Sequence, residues 1–211
     1  MGIVSTAPAS ATAALEPDAA AGVAAPVQTA LVVGGERLNV LAEHRAIVTG
    51  TLLEDRRPGP SGRPIALQAL GRGGWRTLAG ARTGARGRFR LIYTPRRLGS
   101  ELVRLRFAGA PSERASHRGL GRLNVYRLAE ASWYGGGGSL ACGGWLTSAT
   151  MGVANKTLPC GTLVTLRYDG RIVRVPVVDR GPYVEDREFD LTEATKRALG
   201  FGGVGEVWST S

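Results

Sequence analysis

Asp179 closes the apolar run Pro176-Val177-Val178 and opens the turn Arg180-Gly181-Pro182-Tyr183. A strand that stops on an acid and a Gly-Pro turn presents a carboxylate at the lip of a groove, where it can give or take a proton. Val177, Val178 and Tyr183 favour a raised pKa suited to acid/base work, whereas the cation of Arg180 keeps a carboxylate ionised. Asp179 also has a plain structural reading, in which it caps the tight turn by accepting backbone N–H bonds. A second acid, Asp190, stands where a following helix wants its N-cap. Glu185, Asp186 and Glu188 read as a solvated loop between the two. Cys142 and Cys160 are the only cysteines and most simply form one disulfide; a reactive thiol or half a metal site would lack a partner in this part of the chain. Trp133, Tyr134, Trp145 and Tyr183 fall in loops where aromatic faces can form a stacking platform for a ligand, with Trp145 the one expected to be exposed and Trp133 and Tyr134 equally suited to packing.

The elements that must position these groups are legible nearby. Leu163 to Tyr168 and Arg171 to Val178 are β-prone runs joined by Asp169-Gly170, a type I′ hairpin signal. Pro176 cannot donate to a ladder and is expected at an edge or a bulge. The segment from Asp190 to Gly200 predicts one short helix with an acidic cap, basic residues in its last turn and a terminal glycine. Val204 to Trp208 predicts a closing strand. Upstream, Ile47 to Leu52, Ile65 to Ala69, Trp75 to Leu78, Phe89 to Tyr93, Val103 to Phe107 and Leu123-Val125 alternate with polar or Arg positions between Gly and Pro breaks. That rhythm predicts an antiparallel sandwich.

Charge divides the chain at about the same place. Residues 1–129 hold 19 Arg and no Lys against 8 acids, whereas residues 130–211 hold 8 basic against 9 acidic residues. An Arg-rich half beside a near-neutral one can gather anionic partners such as wall teichoic acids, nucleic acid or acidic lipid, although the scatter of the arginines also fits compositional bias. Residues 1–29 are mostly Ala, Pro, Ser and Thr, with no basic residue before Arg37 and no apolar run long enough to span a bilayer. They are expected to be a disordered lead or the remnant of an export segment, so a secreted or cell-envelope location is predicted. His44 and His117, the only histidines, lie in polar Arg-containing segments and read as surface residues rather than metal ligands. Gly135 to Gly138 lacks the following Lys-Ser/Thr of a phosphate loop. No cofactor, metal or nucleic-acid function is predicted.

Four motifs carry a family resemblance. Ala131-Ser132-Trp133-Tyr134-Gly135, Ala154-Asn155-Lys156-Thr157-Leu158-Pro159 with Gly161-Thr162, Val178-Asp179-Arg180-Gly181-Pro182-Tyr183, and Phe189-Asp190-Leu191-Thr192 together resemble the rare lipoprotein A (RlpA) family. The resemblance implies a six-stranded double-psi β-barrel and lytic transglycosylase activity on peptidoglycan stripped of stem peptides. Ala141-Cys142-Gly143 and Phe189-Asp190-Leu191 are also similar to expansins and barwin-type proteins, which share the barrel and bind wall polysaccharide. A protease-inhibitor barrel of the barwin kind has no reactive-loop signature here. Gly62 to Gln68, Trp75 and Thr83 to Phe89 resemble immunoglobulin-like modules of exported bacterial proteins. The expected architecture is mainly β: a lead over 1–29, an immunoglobulin-like β-sandwich over 30–127, and a double-psi barrel with one short helix over 128–211.

At the catalytic positions the chain departs from the family's pattern. Gly144, Thr147 and Asn155 stand where active members carry Glu, Asp and His, and Asp179 alone is retained. Ordinary glycoside hydrolysis needs two carboxyl groups. A lytic transglycosylase manages with one acid/base, because the sugar's own C6 hydroxyl attacks and closes an anhydro ring. Two functions follow: a transglycosylase-like enzyme with Asp179 as acid/base and Asn155, Arg180, Tyr183, Trp145 and Asp190 holding the glycan, or a non-catalytic, expansin-like module that binds or loosens wall polysaccharide.

Overall fold

The computed structural model describes residues 1–2 and 25–211, so most of the expected lead lies outside the described residues. Its strands run in order β1 (Thr29–Arg37), β2 (Asn39–Leu41), β3 (Ala46–Glu54), β4 (Arg57–Pro58), β5 (Pro64–Gly71), β6 (Gly74–Arg82), β7 (Arg88–Tyr93), β8 (Gly99–Phe107) and β9 (Ser116–Tyr134). There follow β10 (Gly138–Ser139), β11 (Trp145–Leu146), β12 (Val153–Ala154), β13 (Leu163–Tyr168), β14 (Arg171–Asp179), β15 (Phe189–Thr192), the helix α1 (Glu193–Leu199) and β16 (Gly205–Ser209). The chain is mainly β, as the alternation predicts, and every upstream strand read from the sequence is present. β1 was not among them, because its Thr-Ala-Leu-Val-Val-Gly-Gly run has no clean alternation.

Two sheets face each other upstream. One holds β1, β3, β4 and β7; the other holds β6, β5, β8 and the first part of β9, with β2 added alongside β9. Alternate residues such as Val48, Leu52, Leu67, Leu91, Leu105 and Phe107 point inward and are essentially inaccessible to solvent, which makes the apolar layer between the sheets. Downstream, β15, β12, β14, β13, β16 and β9 pair in turn, and β9 pairs back with β15. This closes a six-stranded barrel, and closure removes the free sheet edges that would otherwise recruit other chains. Ala131, Val153, Val164, Leu166, Val177, Phe189 and Leu191 fill it.

β9 serves both cores. Leu120, Leu123 and Val125 enter the sandwich, and Ala129 and Ala131 enter the barrel. Tyr126 sits at the changeover, fully buried, donating its hydroxyl to Asn39 Oδ1 at 3.0 Å and packing against Trp208 at 5.7 Å between ring centroids. Burial, the main cause, pushes the Tyr126 hydroxyl up to about 12.

The β13–β14 hairpin turns on Asp169 and Gly170, both with positive φ (43° and 79°), as a type I′ turn requires. Pro176 does not lie on an edge strand, since β14 is paired on both flanks. The Val177 N–H bonds Thr162 O, so alternation directs the Pro176 nitrogen to the other flank, where β12 begins only opposite Val177 and β14 then carries a bulge at Val178. The helix corrects one expectation. Its N-cap is Thr192, whose hydroxyl accepts from the Thr195 N–H; Asp190 lies two residues earlier, inside β15. Thr192 wins because the parallel pairing of β15 with β9 runs through Thr192, so the first helical residue is Glu193 and the cap falls on the residue before it. Gly200 ends the helix at φ 69°, the left-handed geometry a glycine adopts without strain.

Candidate functional site

β12 is only two residues long, but it lies between β14 and β15. Ala154 is the cross-strand partner of Asp179 on one side and of Asp190 on the other. Two strand spacings place the two acidic backbones roughly 9.5 Å apart. Alternation on β9 adds Ser132 and Tyr134, which pair with Asp190 and Thr192 of β15, and turns Trp133 to the opposite face. Four side chains from three strands thereby converge beside Ala154.

Their electrostatics differ. Asp179 Oδ1 accepts the backbone N–H groups of Ala141 and Arg180, both at 2.9 Å, so the turn-capping interaction expected of an Asp at this position is formed. Asp190 is half-buried and accepts the Ser132 hydroxyl at 2.8 Å. Burial raises its pKa above the usual carboxylate range; Ser132 and Arg187 oppose the shift, and the charge of Asp179 adds to it. The Tyr134 hydroxyl is buried and has no hydrogen-bond partner among the described residues. Burial foremost, then the charge and closeness of the Asp179 carboxylate and last the charge of Asp190, raise its pKa, although the hydroxyl and that carboxylate do not meet in a formed hydrogen bond. The arrangement is thus a pair of carboxyl groups in unlike surroundings, with a neutral phenol beside them.

Arg180 turns away from the Asp179 carboxylate. Its guanidinium donates to the carbonyls of Asn155 (3.1 Å) and Leu158 (2.9 Å) and meets Cys160 Sγ at 3.1 Å, clamping the loop that follows β12. The cation expected to hold Asp179 ionised is directed instead into backbone. Asn155 is buried and committed as well: Oδ1 accepts from the Thr157 and Leu158 N–H groups, and Nδ2 donates to Glu188 O. Cys142 and Cys160 form the disulfide, Cα to Cα 5.5 Å, which ties that loop to the segment carrying Ala141. Cys142 N–H bonds Val178 O, so the β10–β11 hairpin and its Trp145 are fastened at the Asp179 end of β14.

Trp145 is 64% and Tyr183 84% exposed, the latter just beyond the cis Gly181–Pro182 peptide. Trp133 instead lies under Lys196, whose Nζ is 3.6 Å from the ring centroid. Gly144, aligned with the family's Glu, has φ 88°, a backbone that disfavours any side chain. Thr147 is exposed and bonds Thr150. His44 and His117 are exposed in the upstream half. Sequence reasoning had not joined Ser132 and Tyr134 to the acids. The signal was present in their i, i+2 spacing, but only the β9–β15 pairing shows which face they share.

Residues 128–208 match the family model described as lytic transglycolase. A probable endolytic peptidoglycan transglycosylase RlpA from Aquifex aeolicus is 39% identical over 92 residues, covering 41% of this chain and 41% of that protein. The endolytic peptidoglycan transglycosylase RlpA of Pseudomonas aeruginosa PAO1 is 38% identical over 87 residues, 38% of this chain and 25% of its own length. The chain therefore spans less than half the length of these relatives. Among solved structures, a Streptomyces papain inhibitor is 29% identical over 39% of this chain and 91% of its own, with a TM-score of 0.33. The RlpA-like resemblance read from four sequence motifs thus holds over residues 128–208, where the chain matches the lytic transglycosylase double-psi barrel family.

Proposed function

We propose that this is an exported cell-wall protein that acts on peptidoglycan glycan strands as a lytic transglycosylase, with Asp179 and Asp190 as its acid/base pair. The observation that carries the reading is the placement of both acids across Ala154 in unlike environments. Asp179 caps its turn through two backbone N–H bonds and Asp190 is half-buried against Ser132, and carboxyl groups in such unlike settings can divide acid and base roles between them. Asp190, the acid with the raised pKa, donates its proton to the glycosidic oxygen as the bond to the MurNAc C1 breaks. The C6 hydroxyl of the same sugar attacks C1, and Asp179 takes the hydroxyl proton, leaving an anhydro-muramyl end and a free GlcNAc hydroxyl. Tyr183 and Trp145, both exposed, supply stacking faces along the groove.

A second reading has its own support. The residues at the family's Glu, Asp and His positions are Gly144, Thr147 and Asn155, and the Asn155 amide is spent on the fold. On that reading the groove binds or loosens wall polysaccharide without cleaving it, and the Arg-rich half adds affinity for anionic wall polymer. Mass spectrometry of soluble products from peptide-stripped peptidoglycan separates the two. Anhydro-muramyl products made by the wild type and lost in Asp179→Asn support the enzyme. Pelleting of both proteins with the glycan and no products supports the binding module.

A further inference from the structure

A cleft of about 530 Å³ opens where the sandwich meets the barrel, lined in part by Arg37 of β1, Arg122 of β9, Arg167 of β13 and Trp208 of β16. Glu36 is the acid among its lining residues, and Asp169 and Glu206 lie beyond Trp208. None of the three arginines is in an ion pair among the described residues, where the four ion pairs formed all involve other arginines. Arg37 and Arg122 each give one N–H to a backbone carbonyl, of Arg45 and Ser100, which fixes their direction and leaves further donors free. Arg174 of β14 is outside the lining but pairs with Thr165, which alternation puts on the same face of the β13–β14 hairpin as Arg167, so this largely exposed side chain stands beside the cleft as a fourth cation. Partial desolvation of its guanidinium, and then repulsion from Arg122, hold it below the usual arginine value. Four guanidinium groups against the single lining acid Glu36 leave a repulsion that a bound anion would relieve.

We propose that this cleft binds the phosphodiester groups of a polyol-phosphate wall polymer. The proposal localises the anion affinity suggested above for the Arg-rich half and does not depend on chemistry at Asp179. Donors converging from separate strands suit the tetrahedral oxygens of a phosphate, whereas a planar carboxylate is matched by one guanidinium fork. Single-stranded nucleic acid also carries phosphodiesters, but it needs aromatic faces on which bases stack. Trp208, the aromatic residue lining the cleft, is covered by Arg167, 4.7 Å from its centroid, and abutted by Tyr126.

Calorimetric titration of the full chain with poly(glycerol phosphate) at fixed ionic strength tests the site. The double variant Arg122→Gln/Arg174→Gln is compared with Arg88→Gln/Arg90→Gln, which removes the same charge from exposed positions on β7. Expected is roughly tenfold weaker binding for the first pair and less than about twofold for the second, with poly-glutamate of matched charge binding more weakly than the phosphate polymer. Equal losses in both variants would overturn the cleft while leaving general anion affinity standing. No binding by the wild type would overturn both. Equal or tighter binding of poly-glutamate or of an oligo-dT strand of equal phosphate count would overturn the assigned ligand. Thermal melts of each variant exclude unfolding, and product formation from peptide-stripped peptidoglycan is expected to be unchanged in all of them.

Discussion

Asp179 and Asp190 share one cross-strand neighbour, Ala154, although they belong to different strands. Burial foremost, with a smaller contribution from the Asp179 charge, gives Asp190 a pH-dependent energetic cost. Its pKa is raised in the fold, so between the usual carboxylate value and the raised one the native state holds more protons than the unfolded chain. Stability attributable to Asp190 is therefore full below that window and lost as pH rises through it, opposite to an ion-paired Asp. Asp190→Asn is expected to flatten this fall and to raise the melting temperature relative to wild type near pH 7. Melting curves of both proteins from pH 3.5 to 7.5 measure it, and parallel curves would remove the case for Asp190 as the protonated partner.

Tyr134 invites a test that separates folding from chemistry. Its buried hydroxyl forms no hydrogen bond among the described residues, so Tyr134→Phe deletes an unsatisfied polar atom and is expected to leave stability within about 1 kcal/mol of wild type or to increase it. The phenol nonetheless stands next to the acids, and any role it has in orienting the C6 hydroxyl would be lost. A urea midpoint that holds while the rate of anhydro-product formation falls assigns it to the site; no change in either makes it a packing residue.

Trp145→Ala is expected to leave the melting temperature nearly unchanged, because the side chain is 64% exposed on a two-residue strand. Loss of one stacking face should weaken pelleting with peptide-stripped glycan by about 1–2 kcal/mol. Full retention of binding would move the glycan away from the β10–β11 hairpin.

The legible part of the fold is the part written in local pattern. Alternation predicts β3, β5, β7 and β8, Asp169-Gly170 predicts its hairpin, and Gly200 predicts the helix end, because in each case neighbouring residues settle the conformation. Long-range pairing is not local. Asp190 looked like a helix cap until β9 paired with β15, and Arg180 looked like a partner for Asp179 until the loop after β12 offered it carbonyls. The candidate site is thus half visible in sequence: its motifs name the acids, but the two parallel pairings, β12 with β14 and β15 with β9, decide which groups face one another.

The disulfide is the last restraint on Asp179, and its removal has two separable consequences. Cys142 follows Ala141, whose N–H bonds the Asp179 carboxylate, and Cys160 is on the loop held by Arg180. The bond closes an interval of 18 residues, for which chain entropy gives a loss of about 3 kcal/mol in Cys142→Ala/Cys160→Ala. Arg180→Ala leaves the covalent tie but frees the carbonyls of Asn155 and Leu158, and is expected to cost about 1–3 kcal/mol. Both anchor the same loop, so the triple variant should lose less than the sum of the two effects. Urea titrations of the four proteins form the cycle. Strict additivity would mean that the disulfide and Arg180 act independently, and that Asp179 is held by its own strand rather than by the loops around it.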